Sequence, residues 1–213
     1  MTNVLILGAN GQIARQVIAQ LKSSKAAMKL TLFLRNADRI KDIAPADSTI
    51  IDGDTTDTAA LKTAMTGQDV VYANLAGSNI EAQAKNVVSV MDELRVKRLI
   101  WISTLGIYDE VPGKFGEWNN KTLGSYIQNY AAAAQVIEHS DLDYTLVRPA
   151  WLTNKDEIDY ETTEKSEEFK GTEVSRKSVA NFVVHLIQEP NLEVKHSVGV
   201  NKPNTDGDKP AWY

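Results

Sequence analysis

Cysteine is absent from the 213 residues, which excludes disulfides and thiolate metal sites. Histidine is scarce: His139, His185 and His196 are scattered without metal-site spacing, and no metal is expected. Basic charge is also short, with 23 Lys and Arg against 28 Asp and Glu and a net charge of −5. No basic stripe offsets that deficit, so neither nucleic acid nor a membrane is an expected partner. Long apolar runs are missing too, all far below the roughly 20 residues of a membrane helix. The opening MTNVLILGANG carries no basic leader or cleavage site, which predicts a cytoplasmic chain. What is present suits a folded core: 43% of the residues are hydrophobic. The length fits one domain over 1–213.

Seven short apolar segments read as strands: NVLIL, KLTLFL, STII, DVVYA, RLIWIS, YTLVR and HSVGV. Helical spacing fills the gaps. Ile13, Val17, Ile18 and Leu21 share one face, as do Val87, Val90, Met91 and Leu94. Strands of this kind separated by helices predict an α/β fold, a single doubly wound Rossmann-type domain with a mostly parallel sheet of about seven strands. One stretch breaks the rhythm. Trp151 to Gly171 is polar and acidic, and it reads either as a solvated excursion, a hairpin for instance, or as a substrate loop or lid on the strands' C-terminal side. After it, Ser175 is placed to cap a helix whose Val179, Phe182, Val183 and Leu186 face inward.

LILGANGQIARQVI is a strand, a glycine turn and a helix within fourteen residues. Gly8 permits a sharp turn, and Gly11 lets the backbone approach a pyrophosphate. Asn10 lies between them, and the amides near Gln12 and Ile13 open a helix N-terminus suited to an anion. At the first strand of a βαβ unit this pattern points to a dinucleotide. The second strand then sets a preference. An NAD site places an acid at its end, whereas this chain has Arg35, whose guanidinium suits a phosphate, so NADP(H) is favoured over NAD(H). The plain alternative is that Arg35 and Arg39 are a solvated surface pair.

GANGQIA, LFLRNADRI, IIDGDTTD and YTLVRPA, in that order, resemble the atypical short-chain dehydrogenase/reductase family. The likeness is to its compact NAD(P)-binding members, related to NmrA-like proteins and biliverdin/flavin reductases, and runs from Asn3 to about Val200. The resemblance implies that Asp54 bonds the adenine amino group and that Leu75 and Ala76 flank the adenosine and its ribose. It also puts Pro149 and Ala150 near the nicotinamide amide and makes Thr104 the catalytic hydroxyl. Each has a plainer reading: Asp54 and Asp57 as helix caps, Leu75 and Pro149 as strand-end packing, Ser103 and Thr104 as hydroxyls satisfying the backbone.

Catalytic members carry Tyr-x-x-x-Lys on the next helix. Here SYIQNYAAAA puts Tyr126 on the tyrosine position and Tyr130 on the lysine position. A lysine charge about 4 Å away is worth about 4 kcal/mol at an effective dielectric of about 20, before screening. Without it a phenol of pKa about 10 is ionised only to about one part in a thousand at neutral pH. Tyr126 is then a poor base, though still able to donate a proton or hydrogen bond. The pair reads as packing, as a substrate-pocket wall, or as an acid at Tyr126. Trp101, Trp118 and Trp151 read equally as pocket lining or as core.

Two functions follow. One is an NADPH-dependent reductase passing hydride to a small conjugated or carbonyl acceptor such as a quinone or flavin. The other is an NADP(H)-binding redox sensor that acts through a protein partner without turnover. A monomer or homodimer is expected in either case.

Overall fold

A computed structural model describes residues 1–24 and 26–213. Six strands enter the first part of the fold: β1 (Thr2–Leu7), β2 (Met28–Leu34), β3 (Thr49–Asp52), β4 (Val70–Ala73), β5 (Arg98–Ile102) and β6 (Asp143–Pro149). The helices between them are α1 (Gln12–Ser23), α2 (Thr58–Met65), α3 (Ile80–Leu94), α4 (Gly113–Leu123) and α5 (Ser125–Glu138). A 3-10 turn spans Ala37–Ile40. The remaining elements are β7 (Trp151–Thr153), β8 (Glu161–Thr163), β9 (Glu173–Ser175), α6 (Arg176–Gln188) and β10 (His196–Asn201).

The main sheet runs β3-β2-β1-β4-β5-β6-β10-β8. Every pair in it is parallel except β8 against β10. The chain reverses its winding between β1 and β4, which opens a crevice at their C-terminal ends. Both faces are covered, and β1 shows why its sequence is continuously apolar. Val4 and Ile6 pack into the layer shared with α1 and α6, whereas Leu5 and Leu7 pack into the layer under α2, α3 and α5.

The helices follow their apolar stripes. Ile13, Val17, Ile18 and Leu21 of α1 are buried, as are Val179, Phe182, Val183 and Leu186 of α6. Ser175 caps α6 by accepting from the Ser178 amide, and Asp57 caps α2 by accepting from the amides of Ala59 and Ala60.

The acidic segment corrects one expectation. It is not a hairpin: β7 pairs in parallel with β9 in a second, two-stranded sheet, while β8 joins β10 at the edge of the main sheet as its eighth strand. Many of its carboxylates have partners from distant elements, which is why so polar a stretch is ordered. Lys202 reaches Glu157 at 2.7 Å, Lys177 reaches Asp156 at 2.7 Å, and Asn201 donates to Glu161 at 2.9 Å. No helix among the described residues is long and apolar enough to cross a membrane.

Candidate cofactor and acceptor site

The glycine turn is built against the end of β4. Gly8 has φ +70°, in the left-handed region, and a Cβ there would meet the Asn74 carbonyl oxygen at 2.3 Å. A Cβ on Gly11 would come within 1.8 Å of Asn74 Nδ2, so the second glycine lets the loop lie against the Asn74 carboxamide. The turn closes through the Gly11 amide donating to the Gly8 carbonyl at 2.9 Å. Gly11 begins α1 without a side-chain cap, unlike Asp57 and Ser175 on their helices. The first-turn amides of α1 therefore lack a side-chain acceptor, the condition under which a helix start holds an anion. Asn10 is fixed from below, its Oδ1 accepting from Arg15 Nε at 3.0 Å.

Two cavities meet over this turn. The larger, about 440 Å³, is lined by Gly8, Asn10, Arg35, Arg39 and Asp54, among others. The smaller, about 310 Å³, is lined by Gln12, Ile13, Thr104, Tyr126, Pro149 and Ala150, among others. Gly11, Asn74, Leu75 and Ala76 belong to both, so the two are lobes of one cleft across the switch point. All thirteen residues singled out from the sequence for cofactor binding or catalysis line one lobe or the other. The lobed cleft, its uncapped helix and its two close-packed glycines fit an extended dinucleotide.

The larger lobe carries cations at its rim. The Arg35 side chain is 77% exposed and lies 3.5 Å from the Asp54 carboxylate. Asp54 is held below the usual carboxylate range, first by the Thr56 amide and hydroxyl that donate to it, and to a lesser degree by Arg35. It shapes its own turn, whereas Asp57 is the helix cap. Sequence reasoning missed Gln83, which braces this lobe. Its Oε1 accepts from buried Thr55 at 2.7 Å, and its Nε2 donates to the Ala76 carbonyl at 3.1 Å. The signal was available, because Gln83 is a polar residue on the buried face of α3 beside Ile80, Ala84 and Val87. Asn74 was also missed, and only the fold brings it across Gly11.

In the smaller lobe, Thr104 and Ser103 follow β5. The plain reading of these hydroxyls, as partners for strand-end backbone, does not hold: neither makes a hydrogen bond among the described residues, and Ser103 Oγ is a buried orphan. Tyr126 and Tyr130 do pack, with ring centroids 4.3 Å apart and planes inclined by 28°, and both also line the lobe. Packing and pocket wall are thus one arrangement. The Tyr130 hydroxyl donates to the Leu75 carbonyl at 3.2 Å, and burial, with Tyr126 beside it, drives its pKa far up. It therefore supplies no charge to Tyr126. Tyr126 is 41% exposed, at the mouth of the lobe.

Of the two readings of the tryptophans, packing holds and pocket lining does not. Trp101 is fully buried in the core, and Trp118 and Trp151, packed against it, meet Tyr213 edge-on at 4.8 and 5.7 Å; none of the three lines the cleft. A third feature was missed. Arg148, directly before Pro149, is fully buried and paired with Glu110. Glu110 also accepts from the amides of Gly106 and Tyr108 at 3.0 Å each. The pair therefore locks the loop after Thr104 onto β6. His196 lies 3.2 Å from Glu164 and from Glu193 on the surface, and none of the three lines the cleft.

Fold and cleft together define a dinucleotide-binding protein of Rossmann type. The chain matches the NAD(P)H-binding family over residues 8–190 and belongs to it. A Rossmann-fold NAD(P)-binding family protein from Shigella flexneri is 48% identical, with a TM-score of 0.86 over 99% of this chain and 98% of that one. A wide-type short-chain dehydrogenase/reductase from Veillonella parvula, solved in complex with NADP, is 30% identical, with a TM-score of 0.91 over 99% of each chain. Among curated proteins, UPF0659 protein YMR090W of Saccharomyces cerevisiae is 25% identical, over 97% of this chain and 96% of its own.

Proposed function

We propose that the protein is an NADPH-dependent reductase that passes hydride to a small conjugated or carbonyl acceptor, such as a quinone or flavin. The carrying observation is the two-lobed cleft, with Arg35 and Arg39 at one end and free hydroxyls at the other. The NADP complex of the Veillonella parvula relative supports the choice of cofactor. When bound, NADPH supplies the hydride. The glycine turn and the start of α1 would hold the pyrophosphate, Arg35 and Arg39 would serve the 2′-phosphate, and Pro149 and Ala150 would border the nicotinamide. Thr104 and Tyr126 donate hydrogen bonds to the acceptor oxygen as it gains negative charge. Solvent reaches Tyr126 at the mouth of the lobe and replaces its proton.

The tyrosine in place of the lysine bears on the direction of the chemistry. Tyr130 spends its hydroxyl on Leu75 and brings no ammonium to Tyr126, so the pair offers a hydrogen-bond donor rather than a base for an alcohol. Reduction needs only a donor, and quinones and flavins accept a proton from water. The test is NADPH oxidation, followed at 340 nm, with a panel of quinones, flavins and aldehydes. Turnover of at least one class is expected, and failure with every class would overturn the reductase reading. The same Tyr130 geometry favours a second reading, a redox sensor that binds NADP(H) and signals to a protein partner. A dinucleotide-dependent change in partner capture, without turnover, distinguishes it.

A further inference from the structure

We propose that Arg176 is an anion anchor for the acceptor, and that the acceptor is a carboxylate joined to a conjugated or carbonyl unit; this rests on the reductase reading. Arg176 opens α6 and lines the smaller lobe of the cleft together with Thr104, Tyr126 and Leu152. It also lines an adjoining cavity of about 390 Å³ that carries three more cations, Arg15, Lys155 and Lys177. Those three are already neutralised. Arg15 pairs with Asp42 at 3.2 Å, Lys155 with Glu173 at 2.8 Å, and Lys177 with Asp156 at 2.7 Å. Arg176 has no carboxylate within 4.0 Å among the described residues.

Its only hydrogen bonds there run from Nη1 to the Leu152 carbonyl at 3.3 Å and to Asn154 Oδ1 at 2.9 Å. These two acceptors fix the guanidinium and leave Nε and Nη2 unused. A planar fork with free parallel donors matches a carboxylate. Burial already holds its pKa below the ordinary arginine value, and an anion would offset that desolvation. A second orphan lies in the same lobe: the buried Ser103 hydroxyl, which has no partner. One cation without a counter-charge, in a lobe whose other unused donors are neutral hydroxyls, suits a singly charged carboxylate better than a doubly charged phosphate.

The test is calorimetric titration of the NADP⁺-saturated protein with 2-naphthoate and with 2-naphthamide, which share a shape and differ in charge. Naphthoate is expected to bind at least about tenfold tighter, the scale of a charge-assisted hydrogen bond. The preference should shrink to within about twofold in Arg176→Gln and survive in part in Arg176→Lys. Equal binding, no naphthoate binding at millimolar concentration, or a preference that persists in Arg176→Gln would overturn the proposal. So would Arg176→Gln weakening NADP⁺ as much as naphthoate, which would assign Arg176 to the dinucleotide. A carboxylate preference without turnover of any acceptor sinks the reductase reading and leaves the anchor. Turnover without the preference does the reverse.

Discussion

Replacing Arg35 by alanine removes the guanidinium that terminates β2 at the rim of the larger lobe. A hydrogen bond to a charged group is worth about 1.5–3 kcal/mol in general. Arg35 is 77% exposed and already faces Asp54 at 3.5 Å, so solvent and the carboxylate both weaken its hold on a phosphate. Screening of that kind reduces the expected loss to about 1–2 kcal/mol, or about five- to thirtyfold in the Kd for NADPH. NADH has no 2′-phosphate, and its Kd should change by less than about twofold. Fluorescence titration of wild type and Arg35→Ala with both cofactors measures the difference directly. Raising salt should erode the discrimination in the wild type, because the Debye length falls from about 10 Å at 0.1 M to about 3 Å at 1 M. An equal loss for NADPH and NADH, or a wild type that prefers NADH, would refute the assignment. Arg39 lines the same lobe, so Arg35→Ala/Arg39→Ala should lose more NADPH affinity than either single change.

Glu110→Gln leaves Arg148 buried without its counter-charge and should cost about 3–5 kcal/mol, a fall in Tm of roughly 6–20 °C by thermal unfolding. A shift below about 2 °C would mean the pair is not the lock described. Gly8→Ala combines a left-handed φ with a Cβ 2.3 Å from the Asn74 carbonyl oxygen. It should weaken NADPH at least about tenfold and cost about 1–3 kcal/mol of stability, measured by titration and by denaturant unfolding. Tyr126→Phe should lower kcat for aldehydes about tenfold more than for quinones, because only the aldehyde relies on a protein proton donor. Equal effects on both acceptors in steady-state assays would reduce Tyr126 to a pocket wall.

Much of this molecule is local and therefore legible along the chain. Strand β1 is written as a short, continuously apolar run and helix α1 in a side-chain period of about 3.6, and Gly8 and Arg35 take their places from the strands they end. Ser175 and Asp57 announce their helices by capping chemistry that reaches only a few residues. The acidic segment escaped this logic. Its three-residue strands are too short to show a period, and they are held by partners such as Lys202 and Asn201, distant in sequence.

Tertiary structure decided the rest, because these contacts depend on which crossover brings which strand ends together. Asn74 lies across Gly11 only because β4 sits beside β1. The Tyr130 hydroxyl finds the Leu75 carbonyl 55 residues away, which turns an apparent catalytic pair into a stacked wall with one free phenol. Arg148 reads along the chain as another residue of β6, yet the fold buries it against Glu110 and so sets the loop that carries Thr104. Arg176 reads as an ordinary start to a helix, and only packing brings it into the cleft without a counter-charge. Periodicity and turn chemistry thus determined the scaffold and the dinucleotide turn. Long-range packing alone decided which polar groups were satisfied and which were left free for a ligand.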